Sequence, residues 1–362
     1  MMKNFYTLLL VFIASTGFAQ VIPNGYYNSA TGSGYTLKTQ LYNIIKNHSD
    51  QGYGGLYTTY IASDRDYYYD LDGTLLDMYS EIPAGADSYE YSATNTSERC
   101  GNYNSEGDCY NREHIIPQSV FGSAAPMQSD AHFVVPSDGF VNGARGNLPF
   151  GLVSTANYTS SNGSKRGPNT NSGYSAGYAG TVFEPIDEFK GDIARMYFYF
   201  VTRYQNQVSN WDYDMFNGTS NQALTNQAVS LLLTWHNQDP VNDREIDRNA
   251  AVYDRQNNRN PFIDHPEYAM QIWGSLLDTE SISALQSTAI YPNPSNDHLI
   301  NIATEVIVDN IQLINISGQI IKEIRNPQFQ NKIFSIEDLP SGFYFIRISN
   351  HEGEVTKKVL IN

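Results

Sequence analysis

The chain is poor in cysteine, with only Cys100 and Cys109 among 362 residues. A disulfide framework is therefore excluded as the main source of stability, and a hydrophobic core must hold a chain of this length together. It is also poor in positive charge. Twenty-two Lys and Arg face 38 Asp and Glu, a formal net charge of −16. That balance weighs against a nucleic-acid binder, whose usual footprint is a basic face. Long apolar runs are missing after the first 20 residues, so no later segment is expected to cross a membrane as a helix.

What is present starts with MMKNFYTLLLVFIASTGFAQ. One lysine precedes a short apolar run, and small residues follow. This reads as a secretory signal peptide, residues 1–19, cleaved near Ala19; the competing reading is an uncleaved anchor. The rest is expected to be a soluble exported protein. In an oxidising compartment Cys100 and Cys109 are expected to pair, closing a short loop ahead of Glu113; the other reading is two buried free thiols. The 27 tyrosines, with many Gly, Asn and Ser, suit a loop-rich exported protein better than a simple helical bundle.

Hydrophobic spacing gives the elements. Thr36 is expected to cap a helix over LKTQLYNIIKNH, with Leu37, Leu41, Ile44 and Ile45 on one face. Residues 50–110 read as loops with short strands, and 154–180 as a surface excursion. Helices are expected over DEFKGDIARMYFYFVTRY, then QALTNQAVSLLLTWHNQ, then DPVNDREIDRNAAVYDRQ, the last starting at Asp239-Pro240 and stopped by Pro261 and Pro266. From about residue 285 the pattern changes to alternating Ile, Val, Leu and Phe runs split by turns, which predicts a small all-β sandwich over 285–362. That tail holds nine acids and six bases from Glu280 onward, so most of the negative charge lies before it.

The segment CYNREHIIPQSVFG, residues 109–122, and the following SDAHFVVPSDGFVNGARGN carry the chemistry. A strand over Asn111–Ile116, a second over Phe133–Val135, and a helix capped by Ser137 or Asp138 would form a β-β-α hairpin. It would bring Glu113, His114, Asn142 and Arg145 towards one another. Hydrolysis of a phosphodiester needs a base for water and a cation for the charge on the leaving oxygen. An imidazole suits the first task, and a hard divalent ion on oxygen ligands suits the second. Glu113 and Asn142 offer such oxygens, and the planar fork of Arg145 suits a phosphate oxygen. Neighbouring strand residues face opposite ways, so Glu113 and His114 can share a centre only if the strand ends, bulges or twists there. Spacing alone leaves open a surface histidine and a capping asparagine.

These same stretches resemble the bacterial endonuclease I family of secreted and periplasmic nucleases, within the ββα-metal or His-Me finger superfamily. VFEPIDEFKGDIARMYFYFVTRY and WHNQDPVNDREIDRNAAVYDRQNNRNPFIDHPEY look like family segments too, extending the resemblance over roughly residues 30–275. The resemblance implies an α+β fold, a His-Me finger nuclease domain with flanking helices over 20–280. It implies a sugar-nonspecific endonuclease acting on DNA and RNA. His114 would be the general base, with Arg145 beside it. Glu113 and Asn142 would hold one divalent ion: Mg²⁺, or another such as Ca²⁺ or Mn²⁺. Asn147 completes the element on the phosphate side. Relatives often carry Asn after the second histidine, where this chain has Phe133. An arginine that some relatives supply from the loop inside the finger has no obvious counterpart here, and Arg145 or Arg195 would have to substitute for it. The tail, with YPNPSNDHLIN, NISGQII, LPSGFYFIRI and VTKKVLIN, resembles the C-terminal sorting domain of the type IX secretion system; the bland alternative is a carbohydrate-binding or adhesive sandwich. Partners implied are nucleic acid and the secretion machinery, with the enzyme a monomer.

With an acidic body, substrate contact must come from a local arginine lining and the bound cation. Arg195, Arg248 and Arg259 are candidates for phosphate contact, with Arg203 and Arg255 behind them; Arg195 and Arg203 could equally pair with Asp192 or Glu188. His132 is expected to be a structural partner, and Trp235 and Tyr197-Phe198-Tyr199 to be core. Finally, Asp70-x-Asp72-Gly73-Thr74 matches a phosphatase motif, but SDRDYYY before it cannot make a buried strand. An acidic turn, bare or holding Ca²⁺ on Asp70, Asp72 and Asp77, is the better reading.

Overall fold

The computed structural model describes residues 22–350 and 353–362, and of 278–284 and 286 the backbone alone. The expected leader, residues 1–19, lies outside the described residues. The chain opens with helix α1, Gly34–Ile45, whose Leu37, Leu41 and Ile45 are buried and whose Ile44 is half-buried. Thr36 does not cap it. The helix starts three residues earlier than expected, after an extended Ser33. A second helix, α2 over Leu56–Ser63, stands where loops were expected; Leu56, Thr59, Tyr60 and Ser63 are its buried stripe, at helical spacing in Thr- and Tyr-rich sequence.

Strand β1, Tyr110–His114, pairs antiparallel with β2, Val134–Asp138, and α3, Gly139–Arg145, follows at once. Both strands end differently from the expected 111–116 and 133–135, and the first stops at the histidine. The excursion at 154–180 is partly ordered: β3 (Tyr158–Thr159), β4 (Lys165–Pro168) and β5 (Thr181–Glu184) form a three-stranded antiparallel sheet.

The helices α4 (Lys190–Arg203), α5 (Asn226–Gln238), α6 (Asp243–Gln256), α7 (Pro261–Asp264) and α8 (Glu267–Gln286) pack around this. All fourteen residues of α4 are buried, Tyr197-Phe198-Tyr199 among them, and Trp235 joins that core. Helix α6 starts after Pro240, at a capping box in which Asn242 and Glu245 satisfy each other's backbone N–H. Pro261 begins α7 and Pro266 precedes α8, so both prolines open helices where stops were expected; a fixed φ and a missing N–H suit a first turn.

The tail has its own core. Strands β6 (Ala289–Tyr291), β7 (Ile300–Ala303), β8 (Asn310–Asn315), β9 (Ile320–Arg325), β10 (Ile333–Ile336), β11 (Gly342–Asn350) and β12 (Gly353–Ile361) form two antiparallel sheets, ordered β10-β7-β6 and β12-β11-β8-β9. Ile300, Ile302 and Ile336 of the first sheet share one cluster with Ile311, Leu313, Ile346 and Ile348 of the second. In β7, β8 and β11, alternation with half-exposed neighbours gives the strand its inward face.

Candidate active site

The β1–β2–α3 hairpin is pinned at its turn by two buried carboxylates. Asp138 caps α3, accepting from Val141 N at 2.9 Å through one oxygen, and from Tyr91 Oη at 2.6 Å and Gly107 N at 2.9 Å through the other. Asp77 accepts from Asp138 N at 2.7 Å, and burial pushes it up to about 6. The disulfide Cys100–Cys109 sits just before β1. Thus α3 is aimed back along the strands, and a cavity of about 190 Å³ opens between them. Glu113, His114, Asn142, Arg145 and Asn147 all line it, five residues singled out from sequence. Tyr53, Asn111, Arg112 and Gln118 line it too and were missed.

His114 occupies the last position of β1, so it escapes the strict alternation that would turn it from Glu113. It is 3 % exposed, with the rings of Tyr53, Phe121 and Phe133 about it at centroid distances of 5.9, 6.2 and 6.5 Å. Its Nε2 lies 3.1 Å from the Gln128 carbonyl oxygen. A carbonyl can only accept, so Nε2 carries the hydrogen, and Nδ1, buried without a partner, keeps its lone pair. Burial pulls the imidazole down to about 4, against the Gln128 and Arg112 carbonyls, which favour the charged ring. The ring is therefore neutral at neutral pH. Gln128 is itself held from behind. Two residues on, Asp130 accepts from Tyr199 and Tyr204 Oη, each at 2.8 Å, and from Gln256 Nε2 at 2.9 Å, binding this loop to α4 and α6.

Glu113 is buried beside it. Its Oε1 accepts from Tyr79 Oη at 3.1 Å and faces Arg145 Nη1 at 3.2 Å. Burial pushes the carboxyl up to about 7, outweighing the Arg145 charge and the Tyr79 bond. Asn142 is half-buried; its Nδ2 donates to Asn111 Oδ1 at 2.6 Å, which leaves the amide oxygen as the end available to a ligand. The donor set is hard oxygen, and a carboxylate whose charge is costly in place would be relieved by a cation. The residues fit a divalent ion.

Arg145 departs from the expected phosphate clamp. It is 1 % exposed, and its Nη1 donates to the His114 carbonyl at 2.9 Å and its Nη2 to the Ile115 carbonyl at 2.5 Å. Burial works against its charge, and Glu113 together with Tyr213, Tyr79 and Tyr197 outweighs that cost, so its affinity for the proton is raised. Its guanidinium fixes Glu113 and the end of β1 instead of standing free for substrate. Arg195, Arg248 and Arg259 are corrected more sharply. Each is buried and paired, with Glu245 at 2.6 Å, Asp64 at 2.7 Å and Asp264 at 2.7 Å, and none lines the cavity. Arg203 donates to His48 Nδ1, and Arg255 is half-buried away from the site. His132 is fully buried against Tyr199, with Nε2 on the Asn258 carbonyl, a structural place. Asp70 and Asp72 do cluster, but with Asp66; Asp77 is at the hairpin turn. Only an isolated antiparallel bridge, Arg65↔Leu75, precedes Asp70, so the phosphatase motif lacks its strand.

Arg112, by contrast, lies on β1 two residues before His114, lines the same cavity and is half-exposed. Its guanidinium lies 3.4 Å over the Tyr53 ring and 4.6 Å from that of Tyr57, with Nη1 on the Tyr53 carbonyl at 3.0 Å. The period-two spacing from His114 was the available signal.

Residues 33–267 match the family profile of endonuclease I, and residues 289–362 that of the secretion system C-terminal sorting domain. The chain belongs to the endonuclease I family. Two relatives bear this out: an extracellular ribonuclease of Bacillus amyloliquefaciens, 37 % identical over 254 residues, and one of Bacillus subtilis (strain 168), 36 % identical over 255; each alignment covers 68 % of this chain and 78 % of the relative. A solved surface component of the type IX secretion system of Porphyromonas gingivalis matches 23 % of this chain and 12 % of its own, at a TM-score of 0.19 and 13 % identity, too slight to carry an argument. This member of the endonuclease I family is a nuclease, and it is secreted, with a C-terminal sorting domain for secretion machinery. Among the described residues no helix is long and apolar enough to cross a membrane.

Proposed function

We propose that this chain is a sugar-nonspecific endonuclease that hydrolyses the phosphodiesters of DNA and RNA, with β1–β2–α3 as a His-Me finger and His114 as general base. The observation that carries the reading is the bare, buried Nδ1 of His114 in one cavity with Glu113 and Asn142. The Gln128 carbonyl keeps the ring in the tautomer whose lone pair can take a proton from water. Glu113 and Asn142 would hold one hard divalent ion, Mg²⁺ foremost. Such an ion supplies charge neutralisation for the phosphate and the departing oxygen. Arg145 keeps Glu113 oriented through its ion pair, and Tyr79 fixes the same oxygen. Arg112 presents a planar fork to a phosphate oxygen, stiffened by the Tyr53 ring beneath it. The ribonuclease names of both relatives favour RNA among the substrates.

Plasmid and RNA cleavage with Mg²⁺ and with EDTA tests this. Cutting of both polymers should need the metal. Asn142→Ala should demand a higher Mg²⁺ concentration for half-maximal rate, since one oxygen ligand is gone. Undiminished cutting in EDTA would sink the reading. Arg112→Ala should lower kcat/KM roughly tenfold to a hundredfold, the worth of a charge-assisted hydrogen bond of about 1.5–3 kcal/mol. Arg112→Lys should recover only part of this, because a point charge replaces a fork. A kcat/KM within twofold of wild type for Arg112→Ala would remove it from the site.

A further inference from the structure

Helix α3 has a second hollow on its other side. It measures about 320 Å³ and is lined by Tyr103, Phe140, Gly143, Ala144, Tyr158 and Arg166. Asn142 and Arg145 face the catalytic cavity, so the two hollows are separated by one turn of a single helix. An α-helix with its side chains is about 10 Å across, and small residues at 143 and 144 make the separation thinner.

The sequence builds this hollow at some cost in side-chain freedom. The Cys100–Cys109 disulfide closes the loop that carries Tyr103 onto α3. A Cβ at Gly139 would meet Cys100 Sγ at 2.4 Å and Tyr103 Cδ1 at 2.7 Å, and one at Gly143 would meet Tyr103 Oη at 2.8 Å. Only glycine at both positions lets the ring lie down on the helix. Yet Tyr103 stays 37 % exposed. Opposite it, Phe140 packs on Tyr158 with centroids 6.2 Å apart, and the Arg166 guanidinium stands 5.6 Å from the Tyr158 ring. Arg166 is anchored there, donating to the Ala144 carbonyl at 3.2 Å and to Asn157 Oδ1 at 3.1 Å.

Three aromatic rings and one guanidinium around an open hollow suit a flat, amphipathic, uncharged ligand. Phosphate is disfavoured: Glu106, which accepts from Tyr158 Oη and Ser161, and Asp108, which accepts from Asn104 N and Ser105 N, belong to the same disulfide-closed loop. Resting on the nuclease reading above, we propose that this hollow is a nucleobase subsite, in which Tyr103 and its neighbours stack the base of a nucleotide flanking the scissile phosphodiester of a single-stranded substrate. Every base has a π-face, so stacking holds a strand without choosing a sequence. In a protein short of surface cations, this grip does not depend on charge.

The test uses short single-stranded oligonucleotides with one hydrolysable phosphodiester and phosphorothioate elsewhere, in which the base on either side is replaced in turn by an abasic spacer. For the wild-type protein, one abasic position should raise KM on the order of tenfold to a hundredfold, the range measured when stacking residues are removed, with kcat little changed. Tyr103→Ala should show the raised KM on the intact oligonucleotide and no further rise on the abasic one, while Tyr103→Phe behaves as wild type. Non-additivity of this kind reports direct contact. If the wild type cleaves the intact oligonucleotide but ignores every abasic replacement, the subsite is overturned and the nuclease reading stands. It is likewise overturned if Tyr103→Ala raises KM equally on both substrates, which is the mark of a disturbed α3. If the wild type cleaves neither, both readings fall.

Discussion

His114→Ala is expected to lower kcat by roughly 10²–10⁴-fold, the usual contribution of a positioned general base, with KM nearly unchanged. The imidazole is walled by Tyr53, Phe121 and Phe133 and tied by Nε2 to the Gln128 carbonyl, so its one free nitrogen has a single orientation. Since burial pulls the ring down to about 4, its lone pair is available well below the range where an ordinary imidazole titrates. At saturating Mg²⁺ the wild-type rate should therefore not show an imidazole limb near pH 6.5, because lowering the pH protonates this ring only as it nears its depressed value. Single-turnover rates over a pH series, with circular dichroism to verify the fold of the variant, check both statements. A variant within tenfold of wild type would assign the base wrongly.

Arg145→Met is expected to destabilise the protein by roughly 3–5 kcal/mol, the penalty for removing one partner of a buried ion pair. Three losses coincide. Glu113 loses its cation and must hold an unpaired charge or take up a proton, the His114 and Ile115 carbonyls lose their donor, and the cation over the Phe150 ring at 4.8 Å disappears. For a domain of this size each kcal/mol shifts Tm by about 2–4 °C, so calorimetry in EDTA should register a fall of about 6–20 °C. Adding Glu113→Gln to Arg145→Met should restore part of it, because the stranded charge is then gone. A loss below 1 kcal/mol would show a guanidinium that the fold does not need, and would return Arg145 to the phosphate-clamping role that its sequence context suggests.

These two residues also show what the sequence reveals and what it withholds. Glu113 and His114 are neighbours, and Asn142 and Arg145 lie three residues apart on a helix that follows the strand pair. Local periodicity, a capping Asp138 and a family resemblance were enough to bring them together. What each arginine does was not legible, because it depends on partners distant in sequence. Arg195 meets Glu245 and Arg248 meets Asp64, pairings that tie α6 to α4 and to the end of α2 across long stretches of sequence. An arginine in a helix reads as surface until the acid that buries it is known. Arg112 was passed over for the opposite reason: its neighbours Glu113 and His114 drew the reading, although it stands beside them on the same strand and lines the same cavity. Helix α2 was hidden by Tyr and Thr at its buried positions. Pro261 and Pro266 were read as stops, since proline ends one helix by the same geometry that starts the next.

The tether at Asp130 has a consequence for anyone who would transplant the hairpin. Tyr199, Tyr204 and Gln256, which grip that carboxylate, each lie more than fifty residues beyond Arg145, where the hairpin ends. The Gln128 carbonyl, which holds the His114 ring by Nε2, is two residues from this grip. A graft of residues 109–147 into another scaffold would carry Glu113, His114, Asn142 and that carbonyl, and leave behind the back wall that keeps the carbonyl in place.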